Sequence, residues 1–568
     1  MIVPLLVAAI ALILATFFRK LQYIRFQQHA HFPQHPASLV FGHLKAFGDF
    51  IKRNKPDAHA DLAIVAMNRA LGRPSLMFLD LRPINDPMVV VGSHEIADQL
   101  TKASNIFPTS PPKSSRSLQR LLYVTGHTSI FSQYGEEWKL LRKRFNPGFA
   151  PQHLVTFVPD ILDKGLVFLG HLDSLCNSGA SFPLVSLTTR LTFDVIGKVI
   201  METDLHAQHS SKEKQGELIH LFEALLDAYQ GEHLNLPWWL TIRRVRKRAA
   251  LANRINGLLH AIIRRKFAEL HERGLDTKAQ SVLALSLQGI PALTDSIVDE
   301  TCDQLRTFLF AGHDTTSILL SWVFYELSRT PHALQAVRNE LDCHLGHDAS
   351  PMAVRAQLLG REDLVQQMPY ISAVIKEALR LHPPGGTARV IPPGSGFSVR
   401  MPDGTQQCLD GLLVYNCQSI IHTDPAVFGD TADNFVPERW LASDAATAIP
   451  AGAWRAFERG PRNCIGQDLA NIEARVIIAL VARRYDFVKV GLGAVALDAS
   501  DRPCLDEKGQ LQVTEELYNK DGADEAGDLE AGRWNDDDSE ASQPVRIVGG
   551  DKQDKQDKQV KQDKPGNR

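Results

Sequence analysis

The chain has no C-x-x-C pair, no long basic tract in its body, and no small-x-small cleavage site after its first apolar run. Its seven cysteines (Cys176, Cys302, Cys343, Cys408, Cys417, Cys464, Cys504) are scattered and odd in number, which argues against a disulfide framework or a structural zinc site. With a formal net charge of -3 over 568 residues, nothing in the charge balance favours a nucleic-acid partner. A hydrophobic content of 44% and a charged content of 22% are those of a globular protein with a large core.

The two ends differ from this body. Ile2 to Phe18 is apolar or small without one charge, and Arg19, Lys20 and Arg25 follow at once. A run of that length at a rise of ~1.5 Å per residue spans about 26 Å, close to what a thin bilayer needs. Residues 1–20 are therefore expected to be a membrane anchor rather than a cleaved signal peptide, with everything after Lys20 in the cytosol by the positive-inside rule. Residues 21–45, with Pro33, Pro36, Gly42 and His43, read as a stiff, turn-rich linker. At the other end, Asp521 to Glu540 carries nine acidic residues against one arginine, and Asp551 to Lys564 repeats Asp-Lys-Gln units. The tail 519–568 is thus expected to be mostly disordered, with Pro544 to Val548 as a candidate last strand.

Between the ends, 46–518 reads as one mostly helical unit with small β-sheets, an α+β pattern, with strand-like pieces near Leu76 to Val91, Ser398 to Val414 and Leu511 to Tyr518. One long helix is expected from Thr294 or Asp295, which offer N-cap oxygens, to about Ser328, ahead of Pro331. Its middle, Ala311-Gly312-His313-Asp314-Thr315-Thr316, breaks helix rules: a central glycine costs ~1 kcal/mol relative to alanine, and aspartate and paired threonines add to that. Such local violations mark functional sites, and a threonine hydroxyl can take the i-4 carbonyl and open a groove. A kinked core helix with a satisfied polar pair accounts for the same six residues. Downstream, Glu377 and Arg380 share a helix face with the acid on the favourable side, which by itself describes a surface ion pair. Pro437-Glu438-Arg439-Trp440 reads as a loop.

The stretch Phe457-Glu-Arg-Gly-Pro-Arg-Asn-Cys-Ile-Gly466 holds the cysteine that demands an explanation. Gly460 and Gly466 permit close backbone approach, and a helix starting near Gln467 would aim its positive end at the sulfur. Those surroundings favour a thiolate, yet no resolving cysteine or general base lies nearby. A metal held through one sulfur, with its other ligands supplied from elsewhere, fits.

On these residues the chain resembles the cytochrome P-450 heme-thiolate monooxygenases, of the membrane-anchored microsomal type found in filamentous fungi. The F-x-x-G-x-R-x-C-x-G loop is matched by Phe457, Gly460, Arg462, Cys464 and Gly466. The A-G-x-D-T helix is matched by Ala311, Gly312, Asp314 and Thr315, and the E-x-x-R by Glu377 and Arg380. Pro437 to Trp440 match P-E-R-[FW], and Trp138 with Arg142 match W-x-x-x-R. Glu458 and Arg459 depart from the small residues usual in the cysteine loop.

The resemblance implies the P-450 fold, with the long helix over the heme, and a set of roles. Cys464 would ligate the iron of heme b (iron protoporphyrin IX), and Trp138, Arg142, Arg389 and Arg462 would donate to its propionates. Asp314 and Thr315 would deliver protons, while Glu377, Arg380 and Arg439 would form a structural triad. Lys139, Lys143 and Arg144 would face an acidic electron donor. The substrate pocket would draw on Phe107 to Leu122, Phe308 to Ala311 and Gly385 to Ala388. It further implies insertion of one oxygen atom from O2 into an apolar substrate, in secondary-metabolite biosynthesis. Electrons would come from NADPH through a separate NADPH-cytochrome P-450 reductase, with cytochrome b5 as a second donor. The place would be the endoplasmic reticulum membrane, single-pass, with the catalytic part cytosolic. A heme-thiolate isomerase or dehydratase and a non-catalytic heme sensor stand as the other readings. Trp238 and Trp239, beside Arg243, Arg244, Arg246, Lys247 and Arg248, are a candidate second membrane contact.

Overall fold

The computed structural model describes residues 2–53, 59–229, 241–273, 281–361, 363–442, 448–515 and 528–533. Helices dominate. The longest, Asp295–Arg329, starts where Thr294 Oγ1 accepts from Ile297 N at 3.3 Å and ends where Pro331 opens the next helix, Pro331–Leu345. At ~1.5 Å per residue it runs about 50 Å, across the whole core. It packs along Leu184–Met201, and threonines stitch the two together: Thr192 Oγ1 donates to His313 O at 2.8 Å and Thr188 Oγ1 to Ser317 O at 3.3 Å. Gly312 lets the pair come this close. A Cβ there would lie 2.6 Å from Ile196 Cδ1, so the glycine that weakens the helix locally is the contact point for its neighbour.

The strand content is small. Leu76–Leu79 and Met88–Val91 pair antiparallel, Met88–Val91 pairs parallel with Leu413–Asn416, and the latter pairs antiparallel with Thr387–Val390. This sheet sets Ala388 opposite Tyr415 and Arg389 opposite Val414. Ser398–Arg400 and Gln406–Cys408 form a hairpin. The expected strand at Leu511 to Tyr518 is absent from its described part, where isolated bridges Val495–Val513 and Leu505–Leu511 stand instead. The acidic block corrects a second expectation. Asp528–Arg533 is a strand, paired with Tyr485–Lys489 and Phe182–Pro183. Pro544 to Val548, Trp238 and Trp239 lie outside the described residues.

At the N-terminus the helix continues to Phe26, past the expected boundary at residue 20, and Val3–Phe26 is long and apolar enough to cross a membrane. The linker does not hang free. Phe32 is buried beside Phe78, and Arg25 is buried on Asp80, Nη1 to Oδ2 at 2.6 Å.

Candidate active site around Cys464

The cysteine loop folds back on itself. Cys464 N donates to Phe457 O at 2.9 Å and Asn463 N to Gly460 O at 3.2 Å. Gly460 takes φ +77° beneath Thr101, whose carbonyl oxygen would lie 2.1 Å from any Cβ, so only glycine fits. Gly466 has ordinary φ and caps the helix Gln467–Val481, which therefore begins three residues after the sulfur. The Cys464 thiol is pushed up by burial, against the Gly466 and Gln467 N–H groups and the Arg142 guanidinium, which pull it down. A cation at the sulfur would tip this balance to the thiolate.

Cys464 opens into a cavity of about 450 Å³ that also takes in Thr315, Thr316 and the segment Pro384 to Arg389. Thr315 Oγ1 donates to Ala311 O at 2.8 Å, and Thr315 is exposed to this space. The threonine thus takes the i-4 carbonyl as its sequence context suggests. Asp314 is half-buried, and burial holds its carboxyl above the usual carboxylate range, with neighbouring His313 working the other way. His313 is fully packed, donating through Nδ1 to Leu309 O at 2.7 Å and edge-on to Phe193.

Three cations line the cavity. Burial lowers Arg462 to about 9, with Arg389 and Arg142 adding repulsion, and lowers Arg389 to about 10. Lys113 lies well below the lysine range, for burial first and then for Arg389 and Arg462. The carboxylate near them, Glu458, is committed to the buried Arg455, Nε to Oε1 at 2.8 Å, and Arg455 also reaches Asp98. The loop's departure at Glu458 and Arg459 thus builds an ion network, with Arg459 on Asp98 at 3.4 Å. A cluster of positive charge this poorly compensated calls for a bound polyanion. A cysteine sulfur on one wall, threonine hydroxyls on another and cations at the rim fit a heme with its propionates.

The other expected site residues separate. Arg462 donates to Gln133 O at 2.7 Å and lies 4.7 Å over the buried Trp138 ring. Arg389 holds Ala388 O at 3.0 Å. Arg142 is drawn onto the loop itself, with Asn463 O at 2.8 Å and Oδ1 at 3.1 Å. Arg144 turns inward to Glu300 at 2.8 Å and Thr301 Oγ1 at 2.8 Å, so it does not join exposed Lys139 and Lys143 on the surface. Phe308 packs edge-on to Phe145 and Phe149, and Phe107 lies against Phe397; neither lines the cavity. Lys113, Phe131, Tyr415 and Gln418 do. Nothing in the Pro-Pro-Lys-Ser-Ser-Arg context of Lys113 distinguishes it from a surface lysine.

Glu377 and Arg380 are far from the surface pair that their spacing alone describes. Both are fully buried and bidentate at 2.8 and 2.9 Å. Glu377 also accepts from Arg439 Nε, Trp440 Nε1 and Val436 N, each at 2.9 Å. Arg380 donates to the carbonyls of His422 and Asn434, each at 2.8 Å. His422 then receives Arg455 N on Nε2 at 3.0 Å, tying the triad to the cysteine loop. Sequence reasoning missed His422 and Arg455, which belong to no local pattern.

Residues 69–495 match the family model for cytochrome P450. The chain is 29% identical to the cytochrome P450 monooxygenase polC of Polytolypa hystricis, over 84% of this chain and 86% of that one. It is 30% identical to the cytochrome P450 monooxygenase acrF of Aspergillus aculeatus, over 76% and 88% respectively. The crystal structure of the cytochrome P450DA heme domain shares the fold at a TM-score of 0.64 and 19% identity, covering 89% of this chain and 98% of that one. The chain belongs to the cytochrome P450 family and is a heme-thiolate monooxygenase.

Proposed function

We propose that this enzyme is held in the endoplasmic reticulum membrane by Val3–Phe26, with its catalytic body in the cytosol. There it hydroxylates or epoxidises an apolar secondary metabolite. For a hydroxylation, substrate R–H, O2, NADPH and a proton give R–OH, water and NADP+, the electrons arriving through a separate reductase. When bound at Cys464, the heme supplies the redox-active iron at which O2 is activated, the thiolate pushing electron density that favours O–O cleavage.

The chain's own residues do the rest. Lys113, Arg389 and Arg462 offer the charge that carboxylates at the cavity rim need. Thr315 holds a hydroxyl at the cavity wall, and one residue away burial raises the Asp314 carboxyl above the usual carboxylate range. Lys139 and Lys143 form an exposed basic face on the helix Gly135–Phe145, suited to an acidic donor protein, and similarity to fungal monooxygenases over most of both chains supports the metabolic setting.

The observation that carries the reading is Cys464 and Thr315 opening into one cavity lined by the poorly compensated cations Lys113, Arg389 and Arg462. Cys464→Ala should abolish the reduced-CO band at about 450 nm that a thiolate-ligated heme gives. A normal band in that variant would overturn the assignment.

A further inference from the structure

His382 follows the helix Pro369–Leu381, which carries Glu377 and Arg380. Its N–H donates to Ala378 O at 2.8 Å, and Pro383 forbids another turn. The ring lies flat on the buried Trp322 indole, with centroids 3.6 Å apart and planes 5° apart. Its Nε2 donates to Glu326 Oε1 at 2.8 Å. Trp322 and Glu326 both belong to the helix Asp295–Arg329. Glu326 is a buried carboxylate whose one side-chain partner among the described residues is His382. Such a group is costly to leave unpartnered, so the imidazole is held on two sides.

The two helices joined in this way each lead to a wall of the cavity into which Cys464 opens. From the long helix come Thr315, Thr316 and Leu319; from the chain after His382 come Pro384 to Arg389. Trp322 stands nearly one helical turn beyond Leu319, and only Pro383 separates His382 from Pro384. Prolines are stiff, so the placement of His382 is passed on to the wall instead of being absorbed by the backbone. Farther along the same stretch, Gly386 lies against Tyr415, where a Cβ would come within 2.4 Å of the phenol oxygen. The stretch is therefore fixed at both ends, and His382 is the end that refers it to the helix of Thr315. His382, Trp322 and Glu326 do not themselves line the cavity, so they act on it only through its walls.

Resting on the monooxygenase reading, we propose that His382 is a positioning residue that sets the distance between the long helix and residues 384–388, and so decides how bulky a group can stand beside Thr315. The stack on Trp322 fixes the plane of the ring, and the bond to Glu326 fixes its rotation within that plane.

The test uses the full-length, heme-loaded enzyme with Glu326→Gln, Glu326→Leu and the double variant His382→Ala with Glu326→Leu, which leaves no carboxylate stranded. Heme content, Tm and the reduced-CO band are measured first. Affinities for imidazole and for phenylimidazole, both of which bind a heme iron through nitrogen, are then read from the Soret shift. The ratio of the bulky probe's affinity to the small one's should rise about 10-fold in the double variant as the walls part, the scale on which a pocket senses a small change of fit. It should rise less in Glu326→Leu, which keeps the stack on Trp322, and stay at the wild-type value in Glu326→Gln, whose amide oxygen still accepts from His382. An unchanged or lower ratio in the double variant overturns the proposal, because a trio that only packs would cost stability and leave the ratio alone. A rise in Glu326→Gln as large as in Glu326→Leu also overturns it. Heme lost from both Glu326→Leu and the double variant does so too, since the trio would then be holding the fold. A wild-type protein without the CO band would instead sink the monooxygenase reading itself.

Discussion

Thr315 Oγ1 is bonded to Ala311 O yet exposed to the cavity, so its hydroxyl has an acceptor lone pair free for a second partner. Thr315→Ala should keep heme content and substrate affinity. NADPH consumption should continue while product per NADPH falls and hydrogen peroxide makes up the difference. Asp314→Asn should slow the whole cycle, since positioned acid-base groups contribute roughly 10²–10⁴-fold. A threonine that only packs would shift stability by about 1–2 kcal/mol and leave coupling alone; measuring NADPH, peroxide and product together separates the two. His422 makes a different prediction. Burial, then the nearby Arg380, hold it at about 3, and its Nε2 accepts from Arg455 N. The unfolded chain, titrating near ~6.5 there, binds a proton that the folded one refuses, so stability falls as pH drops from about 6.5 toward 3, by ~1.4 kcal/mol per unit for this group. His422→Gln should flatten that limb of Tm against pH in the full chain; an unchanged slope would mean other groups set it.

Among elements, the pair Asp295–Arg329 and Leu184–Met201 carries the sharpest test. Gly312→Ala puts a methyl 2.6 Å from Ile196 Cδ1 and should destabilise by about 1–3 kcal/mol through overpacking, despite alanine's better helix propensity. Adding Ile196→Ala should give a double variant less destabilised than the two single changes summed; strict additivity would show that Gly312 does not set the approach. The sequence could not show this contact, because Ile196 is over a hundred residues away. What was legible was local. Thr294 as cap, Pro331 as stop and Gln467 as helix start depend on neighbouring residues and lie where the structure has them. Glu377 and Arg380 showed their shared face by spacing, but their complete burial depends on Val436, Trp440 and His422, which only the fold brings together. The strand Asp528–Arg533 was hidden for the same reason: an acidic composition reads as disorder until Tyr485–Lys489 offers it a paired edge. Cys464 was legible through its motif, whereas Lys113 reaches the cavity wall only through the fold, which no motif records.

At the scale of the whole molecule, the apolar helix and the catalytic body are joined by one residue more firmly than a linker implies. Arg25 closes the helix Ile2–Phe26 and is buried. It binds Asp80 Oδ2 at 2.6 Å, Leu39 O at 3.2 Å, Val40 O at 2.7 Å and Arg82 O at 3.1 Å, so one guanidinium holds the helix end, the returning chain and the first strand pair's loop together. The direction in which the helix leaves the body is thereby fixed, and with it the face turned to a membrane. Removing one partner of a buried pair costs about 3–5 kcal/mol when the other is stranded. Asp80 here keeps Arg82, at 2.8 Å through both Nε and Nη2, so Arg25→Gln should cost less, about 1–3 kcal/mol. The apolar run is untouched by that change, so sedimentation with microsomal membranes should stay as it was. Protease nicking between residues 27 and 43 should rise, because that segment loses its fastening. Arg19→Gln with Lys20→Gln is the contrast: neither residue is buried, so Tm and nicking should not move. If Arg25→Gln leaves both Tm and the nicking pattern unchanged, the buried guanidinium does not fix the helix, and the body hangs from its anchor as a free tether.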